Sequence, residues 1–120
     1  MDNRVIAAYQ QLGFKIVVDP SVNYSGYFDA RSRSITMKQI DDSVYHELGH
    51  FLAFIAGNVD KTASFQSIFA AEKANVTAFN KAYVTQNASE YFAESVKDYI
   101  LNNASLKSTR PQTYAAVQNA

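Results

Sequence analysis

The sequence predicts an α+β domain in which a small, mostly antiparallel sheet packs on one helix and a C-terminal helical subdomain completes the core. Segments with strand patterning fall within the first 37 residues, and from Asp41 onward apolar residues recur at helical spacing. At 120 residues the chain has the length of a single domain, 1–120, and a domain of this size buries roughly two thirds of its unfolded surface.

Eleven basic and eleven acidic residues cancel, so the chain lacks the electrostatic footprint of a nucleic-acid or anionic-membrane binder. Hydrophobic residues make up 48% of it, and no run approaches the roughly 20 apolar residues of a membrane span. Cysteine is absent, which excludes disulfides and leaves a metal only histidine and carboxylate ligands. No basic segment followed by an apolar run comes after Met1, so no secretory signal is expected in these 120 residues. The expectation is a soluble monomer with neither nucleic acid nor a membrane span among its partners.

In chain order, Val5, Ile6, Tyr9 and Leu12 have helical spacing and Gly13 follows as a stop, which predicts a helix over Asn3 to Leu12. Phe14 to Val18 is rich in β-branched residues and ends at Asp19-Pro20, as a strand would. Turn residues Asn23 to Gly26 precede a hairpin, with Tyr27 to Ala30 and Ser34 to Met37 flanking Arg31-Ser32-Arg33. Asp41-Asp42-Ser43 offers capping oxygens to a helix that carries Val44, Leu48, Phe51, Leu52 and Ile55 as its apolar stripe and ends before Gly57. A further helical pattern runs from Thr62 to about Ala82 through Phe65, Ile68, Phe69, Val76 and Phe79, with a break near Asn75. Tyr83 to Asn87 reads as a connection. A helix over Ala88 to Leu101 buries Phe92, Val96, Tyr99 and Ile100, a short tail spans Leu106 to Arg110, and Pro111 starts a last helix with Tyr114 and Val117 as its contacts.

The chain's two histidines stand in His46-Glu47-Leu48-Gly49-His50. At i and i+4 of a helix both rings project from one face and can bind one Zn²⁺, with the intervening glutamate beside the metal as a base. The chemistry this pattern serves is amide hydrolysis, in which Glu47 deprotonates zinc-bound water and the metal polarises the carbonyl. The pattern also occurs by chance in helices where the histidines only pack or are solvated. Here the uncharged flanks Val44, Tyr45, Leu48 and Phe51 favour the metal, and Gly49 is expected to leave room near it.

A catalytic zinc normally takes three protein ligands and keeps one open position. Without a third histidine or a cysteine, the third ligand is an Asp or Glu. Glu90 is the best candidate, because it opens a helix able to cross the first. Glu94, one turn on, is suited to accept the free ring N–H of a ligating histidine and fix its orientation. An ordinary first-turn carboxylate at Glu90 and a solvated charge at Glu94 are the plain alternatives.

From about Ser34 to Val117 the chain resembles the catalytic domain of anthrax lethal factor and the bacterial Pro-Pro endopeptidases, zincin-like metallopeptidases with a glutamate ligand. The resemblance rests on Val44-Tyr45-His46-Glu47-Leu48-Gly49-His50, on Ser89-Glu90-Tyr91-Phe92-Ala93-Glu94, and on Tyr83, seven residues before Glu90. It implies zinc held by His46, His50 and Glu90, Glu47 as general base, and Tyr83 as donor to the developing oxyanion. It further implies an endopeptidase acting on a peptide or protein substrate, and a secreted, toxin-like bacterial protein. Zinc peptidases of this kind bind substrate as an added strand on a sheet edge. By order along the chain that edge is Gly26, Tyr27, Phe28, Asp29 and Ala30.

Two other readings stay open. Some intracellular regulatory zinc peptidases beside repressor-type proteins share such a helix, although the 40-position separation of His50 and Glu90 (90 − 50) and the position of Tyr83 favour the lethal-factor-like reading. A zinc-binding interaction module without turnover is the third.

Overall fold

The computed structural model describes the backbone of residues 3–77 and 80–120 and the side chains of residues 7–77 and 80–120. The side chains of Val5 and Ile6, expected on the first helix, and Phe79, expected on a later one, lie outside the described residues.

Helix α1 (Asn3–Gln11) ends as its glycine predicts: Gly13 has φ +75°, and the Phe14 N–H donates to the Tyr9 carbonyl at 3.1 Å. Three strands follow, β1 (Lys15–Val18), β2 (Gly26–Asp29) and β3 (Ser34–Met37). The expected hairpin forms, with β2 antiparallel to β3 and Phe28 opposite Ile35. Its turn is held by the Asp29 carboxylate, which accepts from the Arg31 N–H at 2.9 Å, and by Arg33 in a left-handed conformation at φ 55°.

The sheet is not mostly antiparallel. Its order is β1-β3-β2, and β1 pairs parallel to β3, so it is a mixed sheet with one pair of each kind. Strand periodicity carries no information on partner or direction. Both are set by α1 and its turn, which deliver Tyr9 and Phe14 beneath the sheet against Phe51, at ring separations of 4.9 and 5.0 Å. Along β1 all four residues are exposed. Ile16, Val17 and Val18 thus form a strand through their backbone pairing with β3 rather than by burying their side chains.

Helix α2 (Ser43–Ile55) is central because it has two buried sides. Leu48 and Phe51 join Tyr9, Phe14, Ile35 and Met37 under the sheet; Leu52 and Ala53 join Phe65, Val84, Tyr91, Phe92 and Val96 in a second, helical core. A helix that is apolar on both sides belongs in the interior. At its start Asp42 holds the capping position without a side-chain bond, while Asp41 accepts from the Ser43 N–H at 2.9 Å. Gly57, at φ +76°, follows its end.

After a 3-10 turn (Val59–Lys61), α3 (Ala63–Glu72) is capped by the Thr62 hydroxyl, which accepts from the Phe65 N–H. It gives way at Lys73–Asn75 to a 3-10 turn and then to extended Val76, the break expected near Asn75. A helical turn, α4 (Lys81–Val84), spans the expected end of that helical pattern and the first two residues of the expected connection, because Val84 buries itself in the second core. Helix α5 (Ala88–Leu101) has the expected bounds, and its Asn87 cap accepts from the Glu90 N–H at 2.8 Å. The expected tail is instead helix α6 (Asn103–Thr109), since the single apolar Leu106 is buried and anchors it. Helix α7 (Pro111–Asn119) starts at Pro111, and the Glu72 carboxylate accepts from the backbone N–H groups of Gln112 and Thr113 at 3.1 and 2.8 Å. No helix among the described residues is long and apolar enough to cross a membrane.

Candidate metal centre and active site

The site lies where α2 and α5 cross. At that crossing a methyl group on Gly49 would stand 2.6 Å from the Ala93 carbonyl oxygen and 2.7 Å from its Cα. Gly49 therefore does not serve, as expected, to leave room near a metal. It lets the two backbones touch, and that contact brings the histidine face of α2 onto the glutamate face of α5.

The side chains then converge. Glu90 bridges both histidines, with one oxygen 3.0 Å from His46 Nε2 and the other 3.1 Å from His50 Nε2. Glu94, one turn further, meets His46 Nδ1 at 3.0 Å. Ligand atoms of His46, His50 and Glu90 lie within 4.8 Å of one another, near the roughly 4 Å that two metal–ligand bonds of about 2 Å can span. Two imidazole nitrogens and a carboxylate oxygen are also a donor set that suits zinc. The residues present fit the ion. Tyr83, on α4, is 54% exposed and its ring centre is 6.4 Å from that of His46.

Electrostatics follow from this packing. Burial pushes the His46 imidazole down, but hydrogen bonds to Glu90 and Glu94 and the charges of Glu47 and Glu90 outweigh it and raise its pKa to about 9. Burial acts upward on Glu90, yet its bonds to His46 and His50 win and hold it well below the usual carboxylate range. Glu94 is likewise held low, burial being outweighed by its hydrogen bond to His46. Glu47 goes the other way: burial raises its carboxyl against the pull of His46 and His50, and the Glu90 charge adds to the rise. Tyr83 is pushed up to about 12 by desolvation and by the Glu90 carboxylate, to which its hydroxyl donates.

Sheet and site meet at Gly26. A Cβ there would lie 2.9 Å from Glu47 Cγ and 3.0 Å from Met37 Sδ, so β2 passes directly over the Glu47 side chain. The Phe28 backbone N–H donates to Glu47 as well. Among the described residues, strand β2 has a partner on one side only, β3. Two clefts open beside it, about 470 Å³ against His46, Glu47 and Tyr83, and about 380 Å³ against His50. The edge segment Gly26 to Ala30 is only partly buried and runs from the first cleft into the second.

The structure thus brings together His46, Glu47, His50, Tyr83, Glu90 and Glu94. Sequence reasoning missed the contact of Gly26 with Glu47, having taken Gly26 as a turn residue and as the start of the substrate edge. It also missed Asp60, whose buried carboxylate accepts from the Ser89 hydroxyl immediately before Glu90. A lone acidic residue in the short segment Asn58 to Lys61 carries no pattern that would have singled it out.

A small mixed sheet, a His-Glu-x-x-His helix and a crossing helix that supplies a bridging glutamate define an α+β domain with a two-histidine, one-carboxylate metal-centre candidate. The family model for anthrax toxin lethal factor, N- and C-terminal domain, matches residues 14–120, and the chain belongs to that family. A Pro-Pro endopeptidase of Clostridioides difficile (strain 630) is similar to it, 41% identical over 78 residues, which cover 62% of this chain and 34% of that protein. The matched part is thus about a third of the relative's length.

Proposed function

We propose that this domain is a lethal-factor-like, zinc-dependent endopeptidase that hydrolyses a peptide bond of a protein substrate. The observation that carries the proposal is the convergence of His46, His50 and Glu90 within 4.8 Å, with Glu47 on the same helix as the histidines. Membership of the lethal factor family and likeness to a protein named Pro-Pro endopeptidase support the reaction class.

In this reading His46, His50 and Glu90 hold the zinc. Bound zinc supplies Lewis acidity, polarising the scissile carbonyl and making water easier to deprotonate. Glu47 is the general base: burial has raised its carboxyl toward the working range, and it passes the proton on to the leaving amine. Glu94 holds the His46 ring through Nδ1, which fixes its orientation and leaves Nε2 free to ligate. Tyr83 keeps its proton at any working pH and donates a hydrogen bond to the oxyanion that develops in the transition state. The substrate lies as an added strand along Gly26 to Ala30, the free edge of β2, its reacting bond over Glu47.

Metal analysis joined to cleavage of a peptide library that includes Pro-Pro bonds tests this, comparing wild type with Glu47→Gln. One equivalent of zinc in both proteins, with cleavage by wild type only, is expected. Absence of zinc from wild type, or equal cleavage by both, overturns the proposal; zinc in both with no cleavage by wild type favours a binding module.

A further inference from the structure

We propose that Asp60, acting through Ser89, is a positioning residue that fixes Glu90 in the metal site; this rests on the zinc reading above. Asp60 sits in the 3-10 turn Val59–Lys61, between α2 and α3, and is only 5% exposed. One carboxylate oxygen accepts from the Ser89 hydroxyl; the other is buried with no hydrogen-bond partner among the described residues. Ser89 is the residue before Glu90, in the first turn of α5.

The energetics argue against a role in the fold alone. A buried carboxylate held by a single hydroxyl, with its second oxygen unpaired, costs stability rather than adding it. Packing alone would be served as well by an uncharged residue. What the carboxylate does provide is a charge-assisted bond, about twice as strong as a neutral one, to the residue beside a ligand. The other tie on that turn, from the Asn87 side chain to the Glu90 N–H, restrains the backbone. Asp60 restrains the residue next to Glu90 through the Ser89 hydroxyl. Asp60, His50 and Ser89 line one cleft, so the 3-10 turn, the histidine helix and the glutamate helix meet there.

Glu90 bridges His46 and His50, with its two oxygens at 3.0 and 3.1 Å. Rotation of the first turn of α5 would move those oxygens relative to the histidines, so loosening the Asp60–Ser89 bond weakens ligation.

The test is zinc affinity, measured by competition with a chromophoric chelator, beside the melting midpoint of the metal-free protein. Asp60→Ala and Ser89→Ala should each lower zinc affinity by about 10- to 100-fold, the range for losing an outer partner of a metal ligand. Either single variant leaves the other group unpaired and loses stability on that account. The double variant Asp60→Ala/Ser89→Ala removes both groups, so its metal-free melting midpoint should stay near wild type while zinc affinity stays low. Asp60→Asn keeps an acceptor for Ser89 but loses the charge, and should recover only part of the affinity. Wild-type zinc affinity in the folded double variant, or a loss that only tracks the melting midpoint across the series, overturns the inference. Failure of wild type itself to take zinc overturns the metal reading, and this inference with it.

Discussion

Gly49 of α2 touches the backbone of Ala93 in α5 so closely that an added Cβ would stand 2.6 Å from its carbonyl oxygen. Backbone atoms cannot swing aside as side chains can. Gly49→Ala should separate the helices and lower stability by at least about 1–3 kcal/mol, the usual cost of overpacking. Denaturant unfolding of the metal-free protein measures this. Zinc affinity should fall with it, because the same contact aligns His46 and His50 with Glu90.

Gly26 offers a contrasting case. Its added Cβ would meet Glu47 Cγ at 2.9 Å and Met37 Sδ at 3.0 Å, which are side-chain rather than backbone atoms. Gly26→Ala should change stability by less than about 1 kcal/mol and leave zinc affinity intact. It should nonetheless displace the base, and a misplacement of about 1 Å costs on the order of 10²-fold in rate. Steady-state cleavage of a peptide substrate, set against zinc titration of the same variant, separates the two effects.

For Tyr83→Phe the expectation is a loss of about 10²- to 10³-fold in kcat, the effect of removing one oxyanion donor. Zinc content should be unchanged. The Tyr83 side chain is half exposed and outside the buried clusters, so the melting midpoint should barely move. Full activity in this variant would remove Tyr83 from the mechanism.

How the site reads in the sequence differs residue by residue. His46 and His50 are legible because helical spacing alone puts them on one face. Glu90 follows from counting donors, and Asn87 before it is a recognisable cap. Bounds of α2 and α5 are legible for the same reason, since long periodic segments report their own geometry. The direction of β1 is not, because pairing is settled by Tyr9 and Phe14 packing on Phe51, far along the chain. Helix α6 escapes because only Leu106 marks its buried side. Gly49 shows the limit most clearly: the sequence displays a small residue between two histidines, but the atoms that require it belong to Ala93, 44 positions away (93 − 49).

The last prediction concerns pH. In the metal-free protein both ring nitrogens of His46 face carboxylates, Nε2 to Glu90 and Nδ1 to Glu94, and its pKa is raised from 6.5 to about 9. A histidine whose folded pKa exceeds its unfolded value stabilises fully below the unfolded value and loses that contribution as pH rises through the folded one. The His46 contribution should therefore be complete below about pH 6.5 and disappear as pH passes about 9. Glu90 is shifted the other way, so its contribution should be present above its unfolded pKa of 4.5 and be lost toward acid. Zinc competes with the proton for Nε2 of His46, since a ligating imidazole must give up that proton. Apparent zinc affinity should rise with pH up to about 9, and titration calorimetry in buffers of different ionisation enthalpy should register proton release below that pH. Zinc affinity that is flat from pH 6 to 9, with no proton released, would mean that His46 is not the group the metal displaces.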